Sequence, residues 1–167
     1  MLRYIAFSLC LLLAGCRGVS QEKELNAAGE KDEQQAYRVS KTEEEWRNEL
    51  SDVEFYVLRK AGTENAGSSE LLHTKEKGTY VCAGCGTPLF KSEHKFDSGT
   101  GWPSFDRAIE GNVAYDTDYN IGYARTEEHC AVCGGHLGHV FDDGPAATTG
   151  KRHCINGAAL DFVPENK

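Results

Sequence analysis

A mainly β domain of short antiparallel strands, entered through two short helices, is the fold the sequence predicts, on three observations. Two consecutive capping boxes, Thr42-Glu43-Glu44-Glu45 and Ser51-Asp52-Val53-Glu54, open helical patterns. After Arg59 no further long amphipathic helical period appears; from Gly78 onward, short β-branched and aromatic runs alternate with turn residues. Two C-x2-C pairs, Cys82/Cys85 and Cys130/Cys133, then bracket a stretch of 44 residues (86 to 129) and bring its ends together.

The first helix carries Trp46 and Leu50 at i and i+4, and the second runs through Phe55, Tyr56 and Leu58 to a stop at Gly62. The strand-like pieces are Thr79-Tyr80-Val81, Pro88-Leu89-Phe90, Ile121-Gly122-Tyr123-Ala124, Leu137 to Phe141 and Leu160 to Val163. Asp97-Ser98-Gly99 and Asp142-Asp143-Gly144-Pro145 are turns by their chemistry. Ahead of the domain, Arg3 and the apolar stretch Ile5 to Ala14 have the form of a signal peptide, too short for a membrane span. Leu13-Ala14-Gly15-Cys16 matches a bacterial lipobox, with ordinary secretory cleavage nearby as the rival reading. The expected organisation is a signal peptide over 1–15, lipidated Cys16 and a flexible tether over 16–40, and a folded domain over 41–167. That layout predicts the bacterial cell envelope, with the lipid as the one membrane contact and Arg17 favouring the outer membrane of a Gram-negative host. The 18 Lys plus Arg against 26 Asp plus Glu give a net charge of -8, which excludes a nucleic-acid partner for want of a basic surface.

Each C-x2-C places two sulfurs on one knuckle, and two knuckles supply the tetrahedral S4 shell that Zn2+ accepts; two disulfides are the alternative in an oxidising compartment. Cys154 follows Lys151, Arg152 and His153, a cationic neighbourhood that favours the nucleophilic thiolate, although a buried packing cysteine is the commoner case. His136 and His139 offer two imidazoles for proton transfer near neutrality, against the plainer reading of polar groups satisfied beside the core. Residues three apart on a regular strand face opposite ways, so both reach one site only where Gly138 bends or bulges it. Trp102, between glycine and proline in Gly99-Thr100-Gly101-Trp102-Pro103-Ser104-Phe105, suits a shallow apolar pocket for a methyl or thioether group.

Cys82-x-x-Cys85, Gly101 to Phe105, the run Gly135-His136-Leu137-Gly138-His139-Val140-Phe141-Asp142-Asp143-Gly144-Pro145 and Arg152-His153-Cys154-Ile155-Asn156 together resemble the methionine-(R)-sulfoxide reductase type B family. The resemblance runs in order from about Thr42 to Pro164. It implies two antiparallel sheets (a β-tent, Mss4-like) with a structural zinc held by Cys82, Cys85, Cys130 and Cys133. It implies reduction of the R epimer of methionine sulfoxide, the S epimer belonging to another enzyme class. Cys154 would be the nucleophile, with His136, His139 and Asn156 on the sulfoxide oxygen. Trp102 and Phe105 would line the substrate pocket, and Arg152 would support the thiolate. The substrate would be oxidised protein methionine, the reductant a thioredoxin-like protein or small thiol, and the enzyme a monomer. Three positions depart from the family. His153 and Gly157 stand where an aromatic and a serine are commoner, and Thr100 stands where many members carry a resolving cysteine. With Cys10 lost, Cys16 lipidated and four cysteines on zinc, no internal thiol is left to resolve a Cys154 sulfenic acid, so an external thiol is expected to attack it directly.

Overall fold

In the computed structural model residues 37–165 are described; the expected signal segment, Cys10, Cys16 and the tether up to residue 36 lie outside them. Among the described residues no helix is long and apolar enough to cross a membrane. Ahead of residue 41, Val39 N–H donates to the Val132 carbonyl at 3.0 Å and the Tyr37 ring meets His129 edge-on, so these residues cover the second cysteine knuckle.

Both helices form where the capping boxes place them. Helix α1 (Glu43–Glu49) is capped by Thr42 and Glu45, and α2 (Asp52–Lys60) by Ser51 and Glu54, each with reciprocal side-chain and backbone bonds. Trp46 from α1 and Phe55, Val57 and Leu58 from α2 are buried. The stop of α2 differs from expectation. Ala61, not Gly62, takes the left-handed conformation (φ 50°), and Gly62 serves instead to let the Tyr56 ring lie across it, where a side chain would have no room.

Among the described residues nine strands follow: β1 (Gly78–Cys82), β2 (Pro88–Lys91), β3 (Lys95–Phe96), β4 (Ser104–Phe105), β5 (Val113–Asp118), β6 (Arg125–Cys130), β7 (His136–Phe141), β8 (Arg152–Ile155) and β9 (Leu160–Pro164). They make two antiparallel sheets, a small one ordered β2-β1-β9 and a large one ordered β3-β4-β8-β7-β6-β5. The core is the layer between them: Phe90 of the small sheet stacks on Phe105 of the large one with ring centroids 4.4 Å apart, and Tyr80 meets Phe105 edge-on at 4.9 Å. Each such ring removed from water stabilises the fold by roughly 1.5–3 kcal/mol.

Residues 121–124, expected as a strand, form instead the exposed tip of the β5–β6 hairpin. The strands on either side, Val-Ala-Tyr-Asp-Thr-Asp and Arg-Thr-Glu-Glu-His-Cys, carry no apolar alternation, because their inward positions hold the acids and histidines of the site. β8 is masked in the same way by Arg152 and His153.

Candidate active site

The four knuckle sulfurs converge. Cys82 Sγ lies 3.7 Å from Cys133 Sγ and Cys85 Sγ 3.6 Å from Cys130 Sγ, with all four within 4.8 Å of one another. A tetrahedron with metal–sulfur bonds of about 2.3 Å has edges of about 3.8 Å, whereas a disulfide needs about 2.05 Å, so the geometry suits a four-coordinate metal ion and not two disulfides. Each knuckle closes on a left-handed glycine, Gly86 (φ 72°) and Gly134 (φ 69°), whose N–H returns to the carbonyl of the knuckle's first cysteine.

Paired residues in antiparallel strands put their side chains on the same face. Cys154 of β8 pairs with Ser104 of β4 on one side and His139 of β7 on the other, so these three share one face of the large sheet. His153 pairs with Phe105 and Val140 and faces the core. The expected placement of Phe105 at the substrate is therefore overturned: it is fully buried between the sheets, because it lies one residue from Ser104 along a strand and must face the other way.

The cationic neighbours of Cys154 are committed elsewhere. Lys151 pairs with Asp142. Arg152 makes a two-pronged bond to Asp143 (2.8 and 2.9 Å) and lies over the Phe141 ring. His153 Nδ1 meets Glu128 Oε1 at 2.5 Å in the core. Burial accordingly pushes the Cys154 thiol above its ordinary range, and the opposing pull of Thr100, whose Oγ1 is 3.9 Å from Sγ, and of Arg152 does not reverse it. Of the three cationic neighbours that the sequence offers, Arg152 draws the thiol toward ionisation and burial opposes it.

The two histidines do meet. Glu128 pairs with Gly138 while the next residue, His129, pairs with His136, so β7 carries one extra residue, Leu137, as a bulge. The bulge turns His136 toward the face of His139, with ring centroids 5.5 Å apart. Gly138 permits it, since a Cβ there would stand 2.0 Å from the Cys154 carbonyl oxygen. A carboxylate clamps each imidazole. His139 Nε2 is 2.9 Å from Asp118 Oδ2, and His136 Nδ1 is 2.5 Å from Glu127 Oε1. Asp118 is held down to about 2 by the Asn120 N–H, by His139 and by Arg125. An ionised carboxylate only accepts, so His139 donates through Nε2 and His136 through Nδ1. His139 Nδ1 and His136 Nε2 are left for proton traffic, and the latter is buried without a partner. Burial lowers the pKa of His139, against the opposing pull of its bond to Asp118.

Asn156 and Trp102 are joined by a residue the sequence reading missed, Glu64. Its buried carboxylate accepts from Gly157 N–H (2.5 Å) and Ala158 N–H (2.9 Å). Its own N–H donates to Asn156 Oδ1 (2.9 Å), and its carbonyl accepts from Trp102 Nε1 (3.3 Å). Asn156 also donates through Nδ2 to the Leu137 carbonyl at 3.0 Å, pinning the bulge, which leaves one side-chain N–H for any other partner. Glycine at 157 is explained too: Ser69 Oγ lies 2.0 Å from where a Cβ would stand. A lone glutamate in a polar loop carries no sequence signal for this role. The clamping acids Asp118 and Glu127 have only a weak one, two histidines in want of carboxylate partners.

Fold and site together define a two-sheet β-domain, stapled for a metal ion and carrying one reduced cysteine beside two clamped histidines. Residues 50–164 match the SelR domain model. The chain is 54% identical over 129 residues to the peptide methionine sulfoxide reductase MsrB of Bradyrhizobium diazoefficiens, covering 77% of this chain and 92% of that one. It is 49% identical over 130 residues to the protein of the same name in Leptospira interrogans, covering 77% and 98%. It is 48% identical over 128 residues to the mitochondrial methionine-R-sulfoxide reductase B3 of Mus musculus, covering 76% and 50%. The chain belongs to the SelR domain family.

Proposed function

We propose that this chain reduces the R epimer of methionine sulfoxide in oxidised proteins, with Cys154 as nucleophile and an external thiol as final reductant. Family membership makes it a methionine sulfoxide reductase, an oxidoreductase; the observation that carries the mechanism is the pairing of Cys154 with His139 across β7 and β8. The Cys154 thiolate attacks the sulfoxide sulfur while a protonated histidine, His139 or His136, delivers a proton to the oxygen. The hydroxyl then passes from the methionine sulfur to the Cys154 sulfur as the transient S–S bond breaks, so methionine leaves, reduced by two electrons, and Cys154 is left as a sulfenic acid. Trp102, half-buried and fixed through Nε1, offers an apolar face to the methyl group. Asn156 has one N–H available to the sulfoxide oxygen.

Regeneration needs a second thiol. Among the described residues the other cysteines are the four of the metal cluster, and Thr100, not a thiol, stands 3.9 Å from the sulfur. An incoming thiol therefore attacks the sulfenic sulfur and releases water, and a further thiol resolves the mixed disulfide. Zinc is the metal whose chemistry fits four thiolates at this spacing, and its part is to cross-link the fold. With Cys16 lipidated and the segment after it as a tether, the domain would repair proteins of the bacterial envelope.

The test is turnover of each epimer by metal-loaded protein with dithiothreitol. Methionine from the R epimer alone is expected. Cys154→Ser should keep metal and fold and lose activity, and dimedone should label Cys154 after one equivalent of substrate. Failure of the R epimer to react, or more than about a tenth of the rate in Cys154→Ser, equivalent to under ~1.4 kcal/mol of barrier, would refute the assignment.

A further inference from the structure

Lys151 and His153 are paired elsewhere and Arg152 is forked onto Asp143, so beside Arg152 the sulfur of Cys154 faces a hydroxyl. Thr100 Oγ1 lies 3.9 Å from Cys154 Sγ and 2.8 Å from Ser98 Oγ. Ser98 Oγ lies 2.7 Å from Ser104 Oγ, and Ser104 Oγ donates to the Trp102 carbonyl at 3.2 Å. Four side chains in a row thus end on an atom that can only accept.

The direction of every hydrogen follows from counting. Each hydroxyl owns one hydrogen. With Ser104 donating to the carbonyl, Ser98 donates to Ser104, Thr100 to Ser98, and the thiol to Thr100. When the sulfur loses its proton to water it can only accept, and the order must invert: Thr100 donates to the thiolate, Ser98 to Thr100, Ser104 to Ser98. No hydrogen changes oxygen; three hydroxyls rotate. The Trp102 carbonyl gives up one neutral bond, and the sulfur gains a charge-assisted one, roughly twice as strong. Ser98 stays satisfied in both states, since it also accepts from Thr100 N–H at 3.4 Å. Ser104 is buried, so water does not replace it in the row.

We propose that Thr100 is the donor that holds the Cys154 thiolate, and that Ser98 and Ser104 are positioning residues in a hydroxyl chain that reverses when the sulfur ionises. It rests on the reading of Cys154 as the nucleophile. The charged and titratable groups acting on the sulfur are Arg152 on its own strand and His139 across on β7, with Glu128 of β6 acting from the core face of the sheet, and the test leaves them all in place.

The measurement is the rate of Cys154 alkylation by iodoacetamide against pH in metal-loaded protein, located by peptide mass. Thr100→Val should raise the midpoint by about one unit, a tenfold smaller thiolate fraction below it, and Thr100→Ser should keep the native midpoint. Ser98→Ala should move the midpoint in the native background and leave it unmoved in Thr100→Val. A native midpoint in Thr100→Val, no shift in Ser98→Ala, or the same shift in both backgrounds overturns the chain. Should Thr100→Val lose its metal, Thr100→Ala carries the same test. Turnover of the R epimer is read in parallel, so a dead wild-type enzyme with a moved midpoint refutes the reaction and not the hydroxyl chain.

Discussion

At Cys154 and His139 burial acts first on charge, and the hydrogen-bond partners of each side chain oppose it. Asp118 is the partner that decides His139. Its carboxyl, held near 2 against an ordinary 3.8, favours the fold while it is ionised. That contribution is complete above about pH 4 and is lost as pH falls toward about 2. The melting-temperature difference between wild type and Asp118→Asn should therefore be widest at neutral pH and shrink below pH 4; a constant difference would remove Asp118 from the linkage. An amide also stabilises an imidazolium less than a carboxylate does, because it carries no charge. Asp118→Asn should slow turnover, though less than His139→Ala, for which ~100-fold is expected if His139 is the acid. A wild-type rate in His139→Ala would pass that role to His136.

Two elements carry local conflicts that can be tested separately. Ala61 ends α2 in a left-handed conformation that a Cβ disfavours. Ala61→Gly should raise stability in urea by about 0.5–1 kcal/mol, and a loss would mean the alanine methyl has a packing role. On the core face of the large sheet, His153 of β8 and Glu128 of β6 form a pair in which Glu128 is completely buried and its Oε2 has no partner. Burial raises the Glu128 pKa, and Phe90 lies 5.8 Å from the His153 ring, so the surroundings are apolar. His153→Phe or Glu128→Leu alone should cost ~3–5 kcal/mol by stranding the other group. The double variant should recover most of that loss; equal losses in all three would show the pair to be uncoupled.

For the molecule as a whole, the cysteine cluster is the staple between the sheets. Cys82 belongs to β1 of the small sheet and Cys130 to β6 of the large one, so an ion held by all four sulfurs ties the sheets together at one end. One equivalent of metal per chain is expected, and its removal by a chelator should collapse the cooperative melt along with activity. A metal-free protein that melts at the native temperature would reduce the staple to a passenger.

Wherever a feature depends on a local rule, the sequence alone determined it. Capping boxes 42–45 and 51–54 fixed both helices because their bonds span three residues. The cysteine spacing fixed the metal shell because each knuckle closes on itself, and Gly138 marked the strand that had to bulge. Only the tertiary structure decided what depends on register: that Leu137 is the extra residue, that Phe105 faces the core while Cys154 faces His139, and that Glu64, Asp118 and Glu127 belong to the site. It also decided that Lys151, Arg152 and His153 spend their bonds on Asp142, Asp143 and Glu128. A strand's side chains alternate faces, so a single residue of register reverses what each one touches, and that register is set by distant partners that local spacing does not name.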